Sequence, residues 1–182
     1  MSLSLDSSIT TAHLDSPTWE RDITPLTLRR GLAAFPTGVV AVTGTHDDGT
    51  DVMVSSSFAV GISWEPALVS FAAQRSSRTW PRLRAADTIG VSLLSDAQTH
   101  LCPQLSSRTA DRLAGVPTHV TDRGTVLLAE SSLWLETRVH QELDAGDHVI
   151  VLLEVLGFAD HSEHRPPAAL HLNAFHGLNA LV

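Results

Sequence analysis

The sequence has little cysteine, few basic residues and no tyrosine. A single cysteine among 182 residues excludes an internal disulfide, and it is typical of proteins from a reducing compartment. Twelve Lys and Arg residues stand against 20 Asp and Glu residues, giving a formal net charge of -8. This balance argues against nucleic-acid binding, because contacts to phosphate backbones depend on basic side chains. We therefore predict a cytoplasmic protein that does not bind nucleic acid.

Patterns that direct a chain to a membrane are also missing. No apolar run reaches the ~18 to 20 residues that cross a bilayer. The N-terminus has neither the basic start nor the long apolar core of a signal peptide. The hydrophobic fraction of 43% is nevertheless ordinary for a chain with a sizeable core. We expect a soluble protein without a membrane partner.

The glycine loops that usually hold nucleotide phosphates are absent, since neither G-x-G-x-x-G nor G-x-x-x-x-G-K-[ST] occurs. The chain offers instead the stretch from Met53 to Trp80, in which polar clusters follow apolar runs. Ser55–Ser57 and Ser77–Thr79 are two such clusters at predicted strand ends, so their hydroxyls and one arginine can surround a single phosphate-bearing ligand. The net negative charge does not oppose this, because distant charges are screened over about 10 Å.

Length and composition predict one domain preceded by a tail. Residues 1–22 are rich in Ser, Thr and Asp and predict a flexible N-terminal extension, and residues 23–182 predict the folded domain. Thr24 and Pro25 predict the start of a helix, because Thr is a good cap and Pro suits the first helical position. This helix carries one apolar face at i, i+4 and i+7, made by Leu28, Leu32 and Phe35.

The rest of the sequence is mainly β in character. Alternating or continuous apolar runs predict strands over residues 39–45, 51–57, 67–73, 88–94, 133–140, 148–158 and 168–178. Short helices are predicted over residues 78–86 and after the Ser95-Asp96 cap. The run 148–158 predicts a strand buried on both faces, as in a small closed barrel. Six or seven strands with two or three helices predict a β-barrel with helices, and we identify no internal repeat.

Five short motifs occur in a fixed order over about 115 residues, although each alone is common. They are Phe35-Pro36-Thr37-Gly38-Val39, Ser56-Ser57-Phe58, Ser63-Trp64-Glu65-Pro66, Ser77-Arg78-Thr79-Trp80 and Gly146-Asp147-His148. With them the chain resembles, over residues 28–178, the short-chain flavin reductases, the reductase components of two-component flavin-dependent monooxygenases. The resemblance implies an FMN-binding split barrel, with six or seven strands in a Greek-key-like arrangement, that forms a homodimer.

The resemblance also implies a cofactor site for FMN or FAD. The residues concerned are Ser55, Ser56 and Ser57 beside the ring and ribityl chain, Ser77, Arg78 and Thr79 on the phosphate, and Thr37, Gly38 and Ser92 near the same ligand. The ordinary interpretation of the serine triplet is a polar strand. For the second cluster it is a helix N-cap followed by an exposed arginine, which is compatible with phosphate binding.

His148 is the catalytic candidate, because the resemblance places the histidine of Gly-Asp-His beside the nicotinamide of NADH or NADPH. The ordinary alternative is a turn in which Gly146 supplies backbone freedom and Asp147 acts as a cap. If both Asp147 and His148 lie in extended conformation, their side chains point to opposite faces and cannot form a hydrogen-bonded pair. Hydride transfer depends on proximity more than on an acid or base, which favours a positioning role for His148.

The chain departs from the family pattern at several positions. One extra residue between Val60 and Ser63 predicts a β-bulge around Gly61. The other departures are Val54 in place of a small polar residue, Ala67 in place of a second proline and Leu153 in place of a glycine. We expect these changes to affect the nicotinamide side more than the phosphate side.

Other chemistries find little support. His161-x-x-His164 and His171-x-x-x-x-His176 match no metal motif, and solvated loop histidines explain them better. No G-x-S-x-G marks a hydrolase nucleophile. The tryptophans are assigned to packing, for Trp64 and Trp80, and to a dimer interface, for Trp134.

The function implied is that of an NAD(P)H-dependent flavin reductase that supplies reduced FMN or FAD to a partner monooxygenase. One alternative is a flavin-binding carrier or sensor without turnover, and another is an oxidase or oxygenase that uses bound flavin directly. The sequence leaves FMN and FAD open. It leans toward NADH, because no Arg or Lys cluster lies near the expected nicotinamide side to bind a 2′-phosphate.

Overall fold

The structure is a computed structural model that describes residues 18–178. Contacts between residues divide the chain into two units, residues 1–32 and 33–182. Residues 1–17, most of the predicted flexible extension, lie outside the described residues. The division into an extension and a domain at residue 22 therefore stays a prediction.

The first unit contains helix α1, Pro25–Leu32. Its N-terminus is capped as the sequence predicts, because the Thr27 N–H donates to Thr24 Oγ1 at 3.2 Å and the Thr24 N–H donates to Thr27 Oγ1 at 2.9 Å. The predicted end is wrong, since Phe35 lies in a bend after the helix. The following Pro36 disfavours helical backbone at Phe35, which explains the earlier end.

The second unit contains all twelve strands found among the described residues. They are β1 (Thr37–Gly38), β2 (Val40–His46), β3 (Gly49–Ser55), β4 (Ala59–Trp64), β5 (Ala67–Gln74), β6 (Ile89–Leu93), β7 (Thr118–Val120), β8 (Val126–Leu128), β9 (Leu133–Ala145), β10 (His148–Asp160), β11 (Ala168–His171) and β12 (Ala174–Gly177). Its helices are α2 (Trp80–Leu83), a 3₁₀ helix (Asp96–Leu101) and α3 (Cys102–Leu105). The mainly β fold predicted from the sequence is confirmed.

Seven strands form one antiparallel sheet in the order β3-β2-β6-β9-β10-β5-β4. Strands β1, β11 and β12 form a small second sheet, and β7 and β8 form a third. The pairing of β10 with β5 places His148 opposite Gln74. The start of β10 therefore lies beside the loop that follows β5, and this loop carries Ser77, Arg78 and Thr79.

Strand β2 separates two buried apolar clusters. Val40 and Val42 belong to one cluster, and Val39 and Ala41 belong to the other. The strand predicted to be buried on both faces, β10, is different. Its fully buried residues Val151 and Leu153 belong to one cluster, and its remaining residues are half-buried or exposed within the described part of the chain. The prediction that β10 is buried on both faces is therefore wrong, because an apolar sequence allows burial but does not ensure that other elements pack on both faces of the strand.

The predicted bulge at Gly61 is confirmed. The pairing of β4 with β5 shifts between Ala59 and Ser63, and Gly61 has a φ of +71°. The last predicted strand is split into β11 and β12, which form a hairpin. Leu172 and Asn173 have φ values of +50° and +62° in the connecting turn. A turn without glycine is the reason that the sequence did not reveal the break.

Candidate functional site

A cleft of about 750 Å³ lies where the end of β3, the loop after β5, the segment after α3 and the start of β10 meet. The residues predicted from the sequence that line it are Ser55, Ser56, Ser57, Ser77, Arg78, Thr79 and His148. We call it the main cleft. The structure therefore brings together the phosphate-side cluster, the serine triplet and the catalytic candidate.

Two hydroxyls of the serine triplet make hydrogen bonds within the protein, and the third makes none among the described residues. Ser57 Oγ accepts the Ala72 N–H at 2.9 Å and lies 3.0 Å from Ser55 Oγ, so these two side chains tie the end of β3 to β5. Ser55 is buried, whereas Ser56 is exposed. Among the described residues, the Ser56 hydroxyl has no hydrogen-bond partner. It is the hydroxyl of the triplet that a ligand can use most directly.

The second cluster is a capped turn, as the ordinary interpretation predicts. Ser77 Oγ accepts the N–H groups of Thr79 at 3.3 Å and Trp80 at 3.1 Å, at the start of helix α2. Arg78 follows the capping serine and is exposed. Within residues 18–178 its guanidinium makes no hydrogen bond or ion pair. Its five N–H donors are therefore available to an anion.

Two further arginines line the main cleft, and the sequence reasoning missed both. Arg112 is half-buried, and its Nη1 donates to Val52 O at 2.6 Å and to Thr79 Oγ1 at 3.0 Å. Its Nε donates to Ser107 O at 2.6 Å, so this side chain joins three segments of the cleft wall. Arg108 is exposed and, like Arg78, has no protein partner among the described residues.

A short internal repeat is the signal that could have found Arg108 and Arg112. Residues 74–83 read Q-R-S-S-R-T-W-P-R-L, and residues 104–113 read Q-L-S-S-R-T-A-D-R-L. The prediction that the chain has no internal repeat is therefore wrong. The repeat escaped because it spans only ten residues, far fewer than a structural repeat unit.

A smaller cleft of about 340 Å³ shares part of its wall with the main cleft. We call it the side cleft. The residues common to both are Arg78, Thr79, Arg108 and Arg112. Asp51 lines the side cleft and lies 2.6 Å from His46 Nε2, and it accepts a hydrogen bond from Arg82 Nε at 2.7 Å. Partial burial raises the pKa of Asp51, but the hydrogen bonds and charges of His46 and Arg82 outweigh this and lower the pKa below its usual value.

His148 lines the main cleft from the start of β10, and it has a side-chain partner. Its Nδ1 is 2.7 Å from Asp147 Oδ1, so the two residues do form a hydrogen-bonded pair. The extended conformation that would have separated the two side chains does not hold at Asp147, which lies in the turn between β9 and β10, where Gly146 has a φ of +62°. The hydrogen bond and charge of His148 lower the pKa of Asp147.

Arg75 supports this turn and was also missed. Its Nε donates to Gly146 O at 3.0 Å, and its backbone N–H donates to Asp147 O at 3.0 Å. The guanidinium also pairs with Asp144 at 2.5 Å. Arg75 therefore fixes the turn at two points, at Gly146 through its side chain and at Asp147 through its backbone.

Three predicted cofactor residues do not line the main cleft. Ser92 is completely buried, and its Oγ accepts the Leu128 N–H at 2.9 Å, so its hydroxyl serves the contact between β6 and β8. Thr37 and Gly38 form β1, which pairs with Leu170 and Ala169 of β11.

The tryptophans have mixed outcomes. Trp80 is 5% exposed, and its Nε1 donates to Glu142 at 2.6 Å, so its packing role is confirmed. Trp64 is 87% exposed and does not pack within the described chain. Trp134, assigned from the sequence to a dimer interface, stacks on His119, with ring centroids 4.9 Å apart, and contacts His161 edge-on. Its cover therefore comes from its own chain.

Residues 18–178 show neither a metal-binding cluster nor a membrane-spanning helix. No group of three His, Cys, Asp or Glu side chains there is arranged to hold a metal ion. No helix among these residues is long and apolar enough to span a membrane. The chemistry of the main cleft is thus that of hydroxyls, guanidiniums and one histidine–aspartate pair.

Comparison with known proteins gives consistent matches. The family described as flavin reductase like domain matches residues 32–179. A flavin reductase of Pseudomonas putida is 33% identical, over 78% of this chain and 83% of that protein. The reductase subunit of a flavin-dependent monooxygenase from Rhodococcus jostii is 30% identical, over 79% of this chain and 73% of that protein.

Among solved structures, one similar chain is the NADH:FAD oxidoreductase of Streptomyces globisporus in complex with NAD and FAD fragments. It is 27% identical and superimposes with a TM-score of 0.78, covering 85% of this chain and 92% of that chain. This likeness confirms the split-barrel fold expected from the sequence.

Proposed function

The chain belongs to the family of flavin reductase-like domains, and on this premise we propose that it transfers hydride from NADH or NADPH to FMN or FAD. The reduced flavin would pass to a partner monooxygenase, since the relative from Rhodococcus jostii is the reductase subunit of such an enzyme. The observation that carries the proposal is one cleft lined by both Arg78 and His148.

The main cleft fits a flavin phosphate. Its volume lies within the ~300 to 1,000 Å³ of ordinary ligand sites. Within the described chain, Arg78 brings a guanidinium without a protein partner, and such a group binds phosphate through charge-assisted hydrogen bonds. Ser56 would contribute its hydroxyl to the ribityl or ring side. When bound, the flavin supplies the ring that accepts hydride from the reduced nicotinamide.

His148 would position the nicotinamide. Its Nδ1 is held by Asp147, so the ring has a fixed orientation and its Nε2 is the nitrogen left for a ligand. Arg75 stabilises the turn that contains Asp147, because its Nε donates to Gly146 O. These contacts restrict the imidazole before the nicotinamide arrives, which is what a residue that sets a near-attack geometry requires.

We also propose NADH as the donor, a homodimer as the working assembly and the cytoplasm as the location. Arg75 is already paired with Asp144 and Gly146, which leaves it unsuited to a 2′-phosphate. Strand β4 exposes Val60, Ile62 and Trp64, and an exposed apolar strand of this kind is suited to a subunit interface. The single cysteine supports a reducing compartment.

Anaerobic stopped-flow mixing tests the proposal against the carrier or sensor alternative. The protein with bound flavin is mixed with NADH while the visible absorption band of oxidised flavin is followed. Bleaching at a rate that saturates with NADH supports the reductase. Flavin binding without bleaching contradicts the reductase and supports a carrier. Aerobic turnover with an added substrate but without a partner protein would instead support an oxygenase.

A further inference from the structure

The two copies of the ten-residue repeat have the same local structure. Ser77 Oγ accepts the N–H groups of Thr79 and Trp80 at 3.3 and 3.1 Å. Ser107 Oγ accepts those of Thr109 and Ala110 at 3.2 and 3.0 Å. In each capped turn an arginine directly follows the capping serine, so the cleft wall carries two equivalent Ser-Arg turns. We call them the first and second Ser-Arg turns.

The two turns are held against each other. Arg112, from the second copy of the repeat, donates to Thr79 Oγ1 of the first at 3.0 Å and to Ser107 O of its own turn at 2.6 Å. Its guanidinium is therefore used mainly to join them. Arg78 and Arg108 are exposed, and neither has a partner among residues 18–178. Two unpaired guanidiniums on one wall are unusual in a chain with a net charge of -8, where carboxylates outnumber them.

The arginines also mark where the two clefts meet. Arg78 and Arg108 line both the main cleft and the side cleft. A flavin with one phosphoryl group would end at this shared wall and leave the side cleft open. A flavin with two phosphoryl groups would continue past the wall into it.

The side cleft has the chemistry of a nucleoside site. Leu113 and Ala110 offer apolar contact. The exposed Asp111 accepts the Leu113 N–H with its Oδ1 at 3.1 Å, and its Oδ2 is left for ribose hydroxyls. Asp51 does not repel a neighbouring phosphoryl group as a bare carboxylate would, because Arg82 and His46 already pair with it.

We propose that this reductase is selective for FAD over FMN, with Arg78 and Arg108 binding one phosphoryl group each and the adenosine lying in the side cleft. The inference rests on the proposed flavin site. It adds to that site a second phosphate contact and the identity of the flavin.

The test is a matched set of binding titrations with riboflavin, FMN and FAD, followed by quenching of flavin fluorescence. Wild-type protein is expected to bind FAD at least about tenfold more tightly than FMN, which is the low end for one added charge-assisted contact. Arg108→Ala should weaken FAD by about 10- to 150-fold and leave FMN within about threefold. Arg78→Ala should weaken both FMN and FAD and leave riboflavin unaffected.

Arg84→Ala is the control, since Arg84 pairs with Glu142 outside both clefts and its loss should change none of the three affinities. Arg108→Lys keeps the charge and should recover part of the FAD affinity, which separates phosphate binding from a folding defect. ADP serves as a separate probe of the side cleft. ADP should compete with FAD for the wild-type protein. For the Arg108→Ala variant, the dissociation constant of ADP should be about tenfold higher.

Equal wild-type affinities for FMN and FAD would overturn the inference, as would an Arg108→Ala variant that weakens both flavins alike. Failure of the proposed function looks different. If the protein prefers FAD but NADH does not bleach the bound flavin, the reductase function is contradicted and the FAD selectivity stands. If the protein binds FMN and FAD with equal affinity and NADH bleaches both, the selectivity is contradicted and the reductase function stands.

Discussion

Arg75 is the residue whose replacement most directly tests how the His148 turn is held. Its side chain makes two contacts there, a hydrogen bond from Nε to Gly146 O at 3.0 Å and an ion pair with Asp144 at 2.5 Å. Its backbone N–H makes a third, to Asp147 O at 3.0 Å. Arg75→Ala removes the first two and keeps the third, so the pairing of β5 with β10 is left intact.

The size of the effect follows from these contacts. A hydrogen bond of this kind contributes about 0.5 to 1.5 kcal/mol net, and an exposed ion pair contributes about 0 to 1 kcal/mol. Asp144 is 85% exposed, which places the ion pair at the low end. The total is about 0.5 to 1.5 kcal/mol. If all of it appears as poorer placement of His148, the rate falls by about two- to twelvefold, because 1.36 kcal/mol corresponds to tenfold.

The assay is the rate of flavin reduction at limiting NADH, measured together with flavin affinity and melting temperature. Two variants separate the two contacts. Arg75→Lys keeps a positive charge beside Asp144 but loses the Nε donor, and we expect it to behave like Arg75→Ala. Asp144→Asn keeps the Nε bond and should stay within about twofold of the wild type.

Two results would refute the reasoning. An unchanged reduction rate in Arg75→Ala would mean that the turn holds His148 without the side chain. An equal loss of flavin affinity would mean that the substitution acts through the fold of the cleft and not through the nicotinamide side.

Three further predictions concern other parts of the molecule. His148→Ala should leave flavin affinity nearly intact and lower the reduction rate at limiting NADH by about tenfold or more, as expected when near-attack geometry is lost; an unchanged rate would return His148 to an ordinary turn residue. The folded-state pKa of Asp51 lies below its unfolded value of about 3.9, so its pairing stabilises the fold above that pH and this contribution is lost as pH falls through the lowered folded pKa. The melting-temperature deficit of Arg82→Ala should therefore be present at pH 7 and shrink below about pH 4, and a deficit that does not change with pH would contradict this. Light scattering should give about twice the 19.5 kDa chain mass, and Trp64→Glu should shift it toward one chain mass if β4 forms the interface.

The sequence predicted those parts of the fold that depend on local pattern. Strand β9 alternates as expected, with Leu135 and Thr137 buried and Arg138 and His140 exposed. The Ser95 cap is also present, since the Ser95 backbone N–H donates to Gln98 Oε1 at 3.2 Å, which is the side-chain-to-backbone bond of a capping box. In these cases the residue and its neighbours contain the whole signal.

The elements that were missed depend on distant partners. Strands β7 and β8 contain three residues each, too few for a periodic pattern, and they exist because they pair with each other. Ser92 was misassigned for the same reason. The resemblance alone assigned it to the flavin, and only the fold reveals that its buried hydroxyl accepts the Leu128 N–H of β8.

The Asp147–His148 pair shows the limit of a rule applied to the right residues. Alternation along a strand holds only inside the strand, and β10 begins at His148. Asp147 lies one residue before it, in the turn that Gly146 makes possible. The predicted strand began at this same residue, so the expectation failed because the alternation rule was applied across a boundary that the sequence had already located.

The arginines around the cleft fall into two groups, those that bind distant segments of the protein and those without a partner among the described residues. Arg75 and Arg112 use their donors on backbone carbonyls of other segments, Gly146 for the first and Val52 for the second. They build the walls, and a ligand would gain little from donors already occupied. Arg78 and Arg108 have no such partners among the described residues, and a guanidinium kept unpaired at a cleft wall has its full donor set left for an anion. The two arginines of the second copy therefore have different roles that only the fold reveals. Arg112 holds the second Ser-Arg turn through Ser107 O, and Arg108 in that turn is left for a ligand.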